Sequence, residues 1–325
     1  MAEDVVTDLT KPSSGSDTVP AEPGAVDRPL ASPGVAAPLA AFSSATPDVP
    51  TRLEAKGVSL AYDDRVISEG LDLRIPAGSF TVIVGPNACG KSTALRALAR
   101  MLKPKQGSVL LDGQVISSLP AKQVARTLGL LPQSSVVPDG ITVRDLVGRG
   151  RFPHQGLLRQ WSSKDESAVQ HALAATGVSD LENRFVDELS GGQRQRVWLA
   201  MVLAQETELL LLDEPTTFLD ITHQYEVLDL CAELRESGDR TLVAVLHDLN
   251  QAARYATHII AMKQGQIVAQ GPPAEVVTPE LVEAVFDLKC VVVPDPATGT
   301  PMVVATGRGE RSAAAKAHAA ELTGR

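Results

Sequence analysis

The run Gly85-Pro86-Asn87-Ala88-Cys89-Gly90-Lys91-Ser92-Thr93 has the residue types and spacing to hold a chain of phosphates. Two glycines bracket a turn, and a lysine and two hydroxyls follow directly. Successive backbone N–H groups in such a turn line a concavity, and the N-terminus of a following helix adds partial positive charge. Lys91 would reach the β- and γ-phosphates, and the Ser92 hydroxyl would ligate Mg²⁺. The bland alternative is a chance glycine turn before a helix, but all the fixed positions of a phosphate loop are matched. The flanks agree: Phe80 to Val84 reads as a buried strand, and Ala94 to Leu102, rich in Ala, Leu and Arg, as a helix. By itself the stretch implies only a nucleoside triphosphate.

Other polar residues stand where apolar runs end. Asp213 closes a strand of leucines, Leu209 to Leu212. A carboxylate there can hold Mg²⁺, usually through water, opposite Ser92. Glu214 follows and points elsewhere, so it could act as general base on the water that attacks the γ-phosphate. The alternative for this pair is an acid that caps a helix. Gln133, after Gly129 to Leu131, could contact Mg²⁺ or the attacking water, although Pro-Gln after a strand is common. His247, after Thr241 to Leu246, could hydrogen-bond the γ-phosphate and brace Glu214; a lone histidine at a strand end is otherwise structural. Tyr62 could stack on an adenine ring or be an ordinary strand aromatic. Ser190-Gly191-Gly192-Gln193, after Leu189, opens a second helix that could bind an anion. One complete phosphate loop needs no second one nearby, so this helix start suits a phosphate held by another copy of the chain.

The elements that must position these residues are those of an α/β protein. Apolar strands alternate with helices from residue 79 to 263, which implies a mostly parallel core sheet. In such sheets ligands bind beyond the carboxyl ends of the strands, where Gly85, Gln133, Asp213, Glu214 and His247 fall. Ahead of it, Leu53 to Tyr62, Arg65 to Ile67 and Leu71 to Ile75 read as antiparallel strands. Residues 134–189 read as a helical insertion, with a capped helix from Thr142 and another over Lys164 to Thr176. The polar loop between them, Gly150 to Gly156, is either a partner surface or a solvated connection. His258 to Met262 and Gln266 to Gln270 flank a hairpin turn at Lys263-Gln264-Gly265. Residues 1–51, rich in Pro, Ala and Ser, read as a disordered acidic tail. The main domain runs over 52–305, and 306–325 reads as a frayed C-terminal tail.

Bulk properties narrow the function classes. The chain has 325 residues and a net charge of −9, which argues against a general nucleic-acid binder. Its three cysteines, Cys89, Cys231 and Cys290, are far apart and suit a reducing compartment. No signal peptide is evident, and the apolar runs are too short to span a bilayer. A membrane role would require another chain to cross.

Together the phosphate loop, Gln133, Leu189 to Gln193, Leu209 to Glu214, Thr217-Phe218-Leu219-Asp220 and His247 resemble, in order, the ABC-transporter ATPase family. The resemblance covers roughly residues 52–305. It implies a P-loop NTPase fold of ABC type, with an antiparallel β subdomain and a helical insertion subdomain. It also implies two ATPase subunits arranged head to tail, with Asp220 in the loop at the dimer interface. ATP and Mg²⁺ would lie between the phosphate loop of one subunit and Ser190 to Gln193 of the other. A narrower resemblance, to the iron-siderophore importer ATPases, rests on Thr216 to Ile221 with His223-Gln224, on His247 to Ala252, on Arg149 to Gln155, and on Val285 to Leu288 with Asp295-Pro296. It implies two membrane permeases docked on the helical insertion, an external binding protein, and a place at the cytoplasmic face of the membrane. Haem, cobalamin or another metal chelate is the alternative cargo. A soluble ABC ATPase or a regulatory nucleotide-binding module is the alternative class. Two positions are unusual. Ala88 stands where many relatives carry Gly, a cost of about 1 kcal/mol if φ must be positive. Cys89 is either a modifiable thiol that blocks ATP or a small neutral filler.

Overall fold

A computed structural model describes residues 42–43, 50–133, 139–156, 161–238 and 240–306, with residues 42, 43 and 238 described by backbone alone. Most of the two expected tails, and residues 134–138 and 157–160 of the expected insertion, lie outside the described residues. The strands are β1 (Phe42–Ser43), β2 (Thr51–Tyr62), β3 (Arg65–Pro76), β4 (Phe80–Val84), β5 (Gln106–Leu111), β6 (Gln114–Val115), β7 (Leu128–Leu131), β8 (Leu209–Asp213), β9 (Thr241–Val245), β10 (His258–Lys263), β11 (Gln266–Gly271), β12 (Cys290–Pro294) and β13 (Pro301–Ala305). The helices are α1 (Lys91–Leu98), α2 (Ala121–Thr127), α3 (Val143–Gly148), α4 (Ser163–Ala175), α5 (Gly191–Ala204), α6 (Ile221–Gly238), α7 (Leu249–Tyr255), α8 (Pro273–Val276) and α9 (Pro279–Phe286).

The core sheet has the order β1-β11-β10-β4-β9-β8-β7. The pairs β10·β4, β4·β9, β9·β8 and β8·β7 are parallel, and β10·β11 is antiparallel. Every residue of β4, β8 and β9 is buried. Such strands lack polar alternation because both faces of the sheet are covered. In β8, Leu210 and Leu212 join one core with α3, α4, α5 and α6. Leu209 and Leu211 join the other, with α1 and the antiparallel sheet. That second sheet has the order β3-β2-β5-β6.

Several boundaries differ from the sequence expectation. The segments Arg65 to Ile67 and Leu71 to Ile75 are one strand, β3, whose register against β2 shifts between Ala55 and Val58 and again near Leu60. Such bulges absorb an extra residue and hide the period-two pattern. Helix α1 starts at Lys91 rather than Ala94, because the phosphate loop runs straight into it with Gly90 as N-cap. Inside the stretch read as a tail, Phe42–Ser43 pairs in parallel with Ala269–Gln270. The hairpin β12–β13 is a separate two-stranded sheet. It is fastened to α7 by Asn250, which donates to Val303 O at 3.2 Å and accepts from Val303 N–H at 2.7 Å.

The stretch expected as a polar loop, Gly150 to Gly156, begins as a 3₁₀ helix over Arg149–His154. Arg151 points inward and is 1% exposed. It donates to Asp165 Oδ1 at 3.0 Å, to Ala204 O at 2.7 Å and to Glu206 Oε2 at 2.8 Å. Phe152 faces out. The loop's surface is therefore less basic than its sequence suggests.

Candidate nucleotide site

Strand β4 delivers the chain into the phosphate loop. Gly85 has φ 153°, and a Cβ there would lie 2.1 Å from Met262 O, so only glycine fits beside β10. Ala88 has φ 60° and holds the left-handed conformation without glycine's freedom. Lys91 is buried and donates through Nζ to Gly85 O and Pro86 O, each at 2.9 Å. An ammonium has three donors, so one N–H remains for an anion while the loop holds the side chain in place.

Two pairs stand at the ends of β8 and β9. Ser92 Oγ donates to Asp213 Oδ1 at 2.7 Å, and Asp213 Oδ2 is buried without a partner among the described residues. Burial pushes the Asp213 carboxyl up, opposed chiefly by the Ser92 hydroxyl and the charge of Arg96. An orphaned buried carboxylate oxygen beside a hydroxyl fits a hydrated divalent cation, whose charge would offset that burial. Glu214 leaves the strand with φ 55°, a strained value of the kind that collects at functional sites. His247 Nε2 lies 2.8 Å from Glu214 Oε1, and Thr217 Oγ1 donates to Glu214 Oε2 at 3.2 Å.

A cavity of about 610 Å³ gathers Tyr62, Asn87, Ala88, Gly90, Lys91, Ser92, Thr93, Gln133, Glu214 and His247, within the usual range for small-molecule sites. Gly85 and Pro86 line an adjoining space with Glu214 and His247. Tyr62 is 40% exposed and accepts from Arg96 Nη1 at 3.3 Å. Cys89 packs inside the second core rather than facing the cavity. Burial pushes its thiol up, and the nearby Lys91 charge opposes this.

The second helix start lies elsewhere. Ser190 Oγ accepts from Gln193 N–H at 3.3 Å, and Gln193 Oε1 accepts from Ser190 N–H at 3.1 Å, a closed capping box. Gly191 and Gly192 pack near Phe218 and Leu219. Asp220 accepts from His223 N–H at 3.0 Å. None of these residues lines the cavity. Sequence reasoning missed Arg65 and Ile67, which line it, and Phe286 of α9, which lines the adjoining space. It quoted Thr217 without placing it on Glu214. The only local signal was the three-residue spacing of Glu214 and Thr217.

The family model described as ABC transporter matches residues 68–217. The Bacillus subtilis (strain 168) protein named Probable siderophore transport system ATP-binding protein YusV is 56% identical over 252 residues, covering 78% of this chain and 92% of that protein. The chain belongs to the ABC transporter family. The ferric enterobactin transport ATP-binding protein FepC of Escherichia coli (strain K12) is 53% identical over 263 residues, 81% of this ABC chain and 97% of FepC. Among solved structures, the dimeric bacterial ABC transporter cassette MJ0796 superposes with a TM-score of 0.62 at 27% identity, over 68% of this chain and 98% of that one. The two sheets and the helical block are those of an ABC ATPase cassette.

Proposed function

We propose that this ABC chain is the ATP-hydrolysing subunit of an importer for ferric siderophores. The observation that carries the ATPase reading is Glu214, held by His247 at 2.8 Å and by Thr217 at 3.2 Å on the wall of the cavity that Lys91 also lines. The cargo reading is supported by relatives named for siderophore and ferric enterobactin transport. Loop amides and the remaining Lys91 N–H bind the β- and γ-phosphates, and Tyr62 stacks on the adenine. Mg²⁺ would be held by Ser92, by Asp213 through water, and by Gln133, and it would neutralise phosphate charge. Glu214 orients water and takes its proton, while His247 fixes Glu214 and contacts the γ-phosphate.

Ser190 to Gln193 serve the ATP of a second copy, and Asp220 lies at the seam between the two. The assembly includes two permease subunits and, outside the membrane, a substrate-binding protein, with no nucleic acid. Among the described residues no helix is long and apolar enough to cross a membrane. The permeases would hold the chain at the cytoplasmic face. Uptake of ⁵⁵Fe-siderophore in a deletion strain tests this reading. Wild type should restore uptake and Glu214→Gln should not. Normal siderophore uptake in the deletion strain, with haem or cobalamin uptake lost, would reassign the cargo.

A further inference from the structure

The phosphate loop is gripped from behind by a turn far along the chain. Strands β10 and β11 are joined by Gln264 and Gly265, with φ 49° and 78°. These paired left-handed conformations are those of a two-residue type I′ hairpin. The turn ends against the loop: Gly265 N–H donates to Cys89 O at 2.9 Å. Strand β3 closes the contact from the side. A Cβ on Gly265 would lie 2.0 Å from Ile67 O, and one on Gly90 would lie 3.2 Å from Ser68 Oγ and 3.8 Å from Gly265 Cα. Beside this, Gln266 Nε2 donates to Glu69 O at 3.0 Å and ties β11 to β3. Three backbone segments thus meet where a side chain on either glycine would not fit freely.

A peptide unit is planar and trans, so its C=O and N–H point in opposite directions. Holding Cys89 C=O on Gly265 turns the N–H of Gly90 the other way. Gly90 lines the cavity, and its N–H has no acceptor among the described residues. We propose that Gly265 is a positioning residue for nucleotide binding: its N–H fixes the Cys89–Gly90 peptide so that Gly90 N–H faces the phosphates. This rests on the reading of the cavity as an ATP site. It explains why Gly265 lacks a side chain: a Cβ there would push the turn off Ile67 O, loosen its hold on Cys89 O and free the peptide to rotate. Gly90 itself holds φ 104°, a conformation strained for any residue with a side chain.

The test compares wild type, Gly265→Ala and Gln264→Asn in the full-length chain. Gln264→Asn keeps a residue that tolerates positive φ and should bind ATP as wild type does. Gly265→Ala should keep the far-ultraviolet circular dichroism of wild type while its Kd for MgATP rises about tenfold or more. In ¹⁵N–¹H spectra, the Gly90 amide should shift strongly when ADP is added to wild type and far less in Gly265→Ala. A general loss of packing would not single out that amide. Equal Kd values for Gly265→Ala and wild type would overturn the proposal. If Gly265→Ala does not fold, wild type decides: the Gly265 amide should be protected from hydrogen exchange, and more so with ADP. Exchange at the rate of an open turn would overturn it. Wild type that binds no ATP would instead remove the reading of the cavity.

Discussion

Two helix starts in this protein carry a serine within two residues of a glycine, and they are finished differently. At α1, Gly90 is the N-cap and no side chain caps the helix. Ser92, inside α1, instead reaches across to Asp213 at the end of β8. At α5, Ser190 and Gln193 close a capping box on their own helix. The first start opens on a cavity lined by Gly90, Lys91 and Ser92, and leaves a buried Asp213 oxygen behind Ser92 without a partner among the described residues, where an anion and its cation would complete the site. The second is capped by its own side chains, and its residues do not line the cavity. If the first end takes the nucleotide and the second meets another copy, as proposed above, the ligand end is marked by incomplete pairing and the partner end by local completeness.

The largest break in this comparison should come from Glu214→Gln. Steady-state ATPase assays should show turnover falling at least about 100-fold, with nucleotide binding and thermal stability kept. Wild-type turnover in the variant would remove Glu214 as the base.

Next comes the block that carries α5. Arg151 and Asp165 form an ion pair whose side chains are 1% and 3% exposed. Arg151→Ala leaves the carboxylate uncompensated and should cost about 3 kcal/mol in urea unfolding, without touching the cavity. The Ser162 hydroxyl, with the Arg151 guanidinium, holds the Asp165 carboxyl at about 2, below the ordinary 3.8. A carboxyl lowered by folding stabilises fully above its unfolded value and loses that contribution as pH falls through its folded one. Wild type should therefore lose this contribution between about pH 4 and pH 2. Asp165→Asn should lack that part of the acid transition.

The smallest effect belongs to Ala88. With φ 60°, Ala88→Gly should relieve strain by up to about 1 kcal/mol, roughly 2 °C in Tm. No change in Tm would mean that the loop already accommodates the methyl.

Legibility followed the range of the interactions. Lys91, Ser92, Asp213, Glu214 and His247 could be picked out because each follows an apolar strand, and parallel strands bring their carboxyl ends to one edge. The core sheet was readable for the same reason, since its strands are short apolar runs between helices. Arg151 was not readable as buried. Its partners come from α4, from the last residue of α5 and from just beyond it, and its approach depends on Gly150, where a Cβ would meet Met201 O at 2.2 Å. Arg65 and Ile67 were missed because β3 reaches the cavity only through the packing of one sheet on the other. The bond from Gly265 to Cys89 has no sequence signal beyond a turn glycine, because both of its atoms are backbone. The bulges that fuse β3 into one strand likewise depend on its partner β2.

One feature of the loop bears on durability. Cys89 is 5% exposed, and burial keeps its thiol protonated. Thiolates, not thiols, react with oxidants and alkylating agents. Burial and the raised thiol should therefore slow its reaction while the fold is closed. Opening of the loop away from the turn at Gly265 should expose it and speed that reaction. Labelling of Cys89 would accordingly act as a clock for the opening of this corner of the protein.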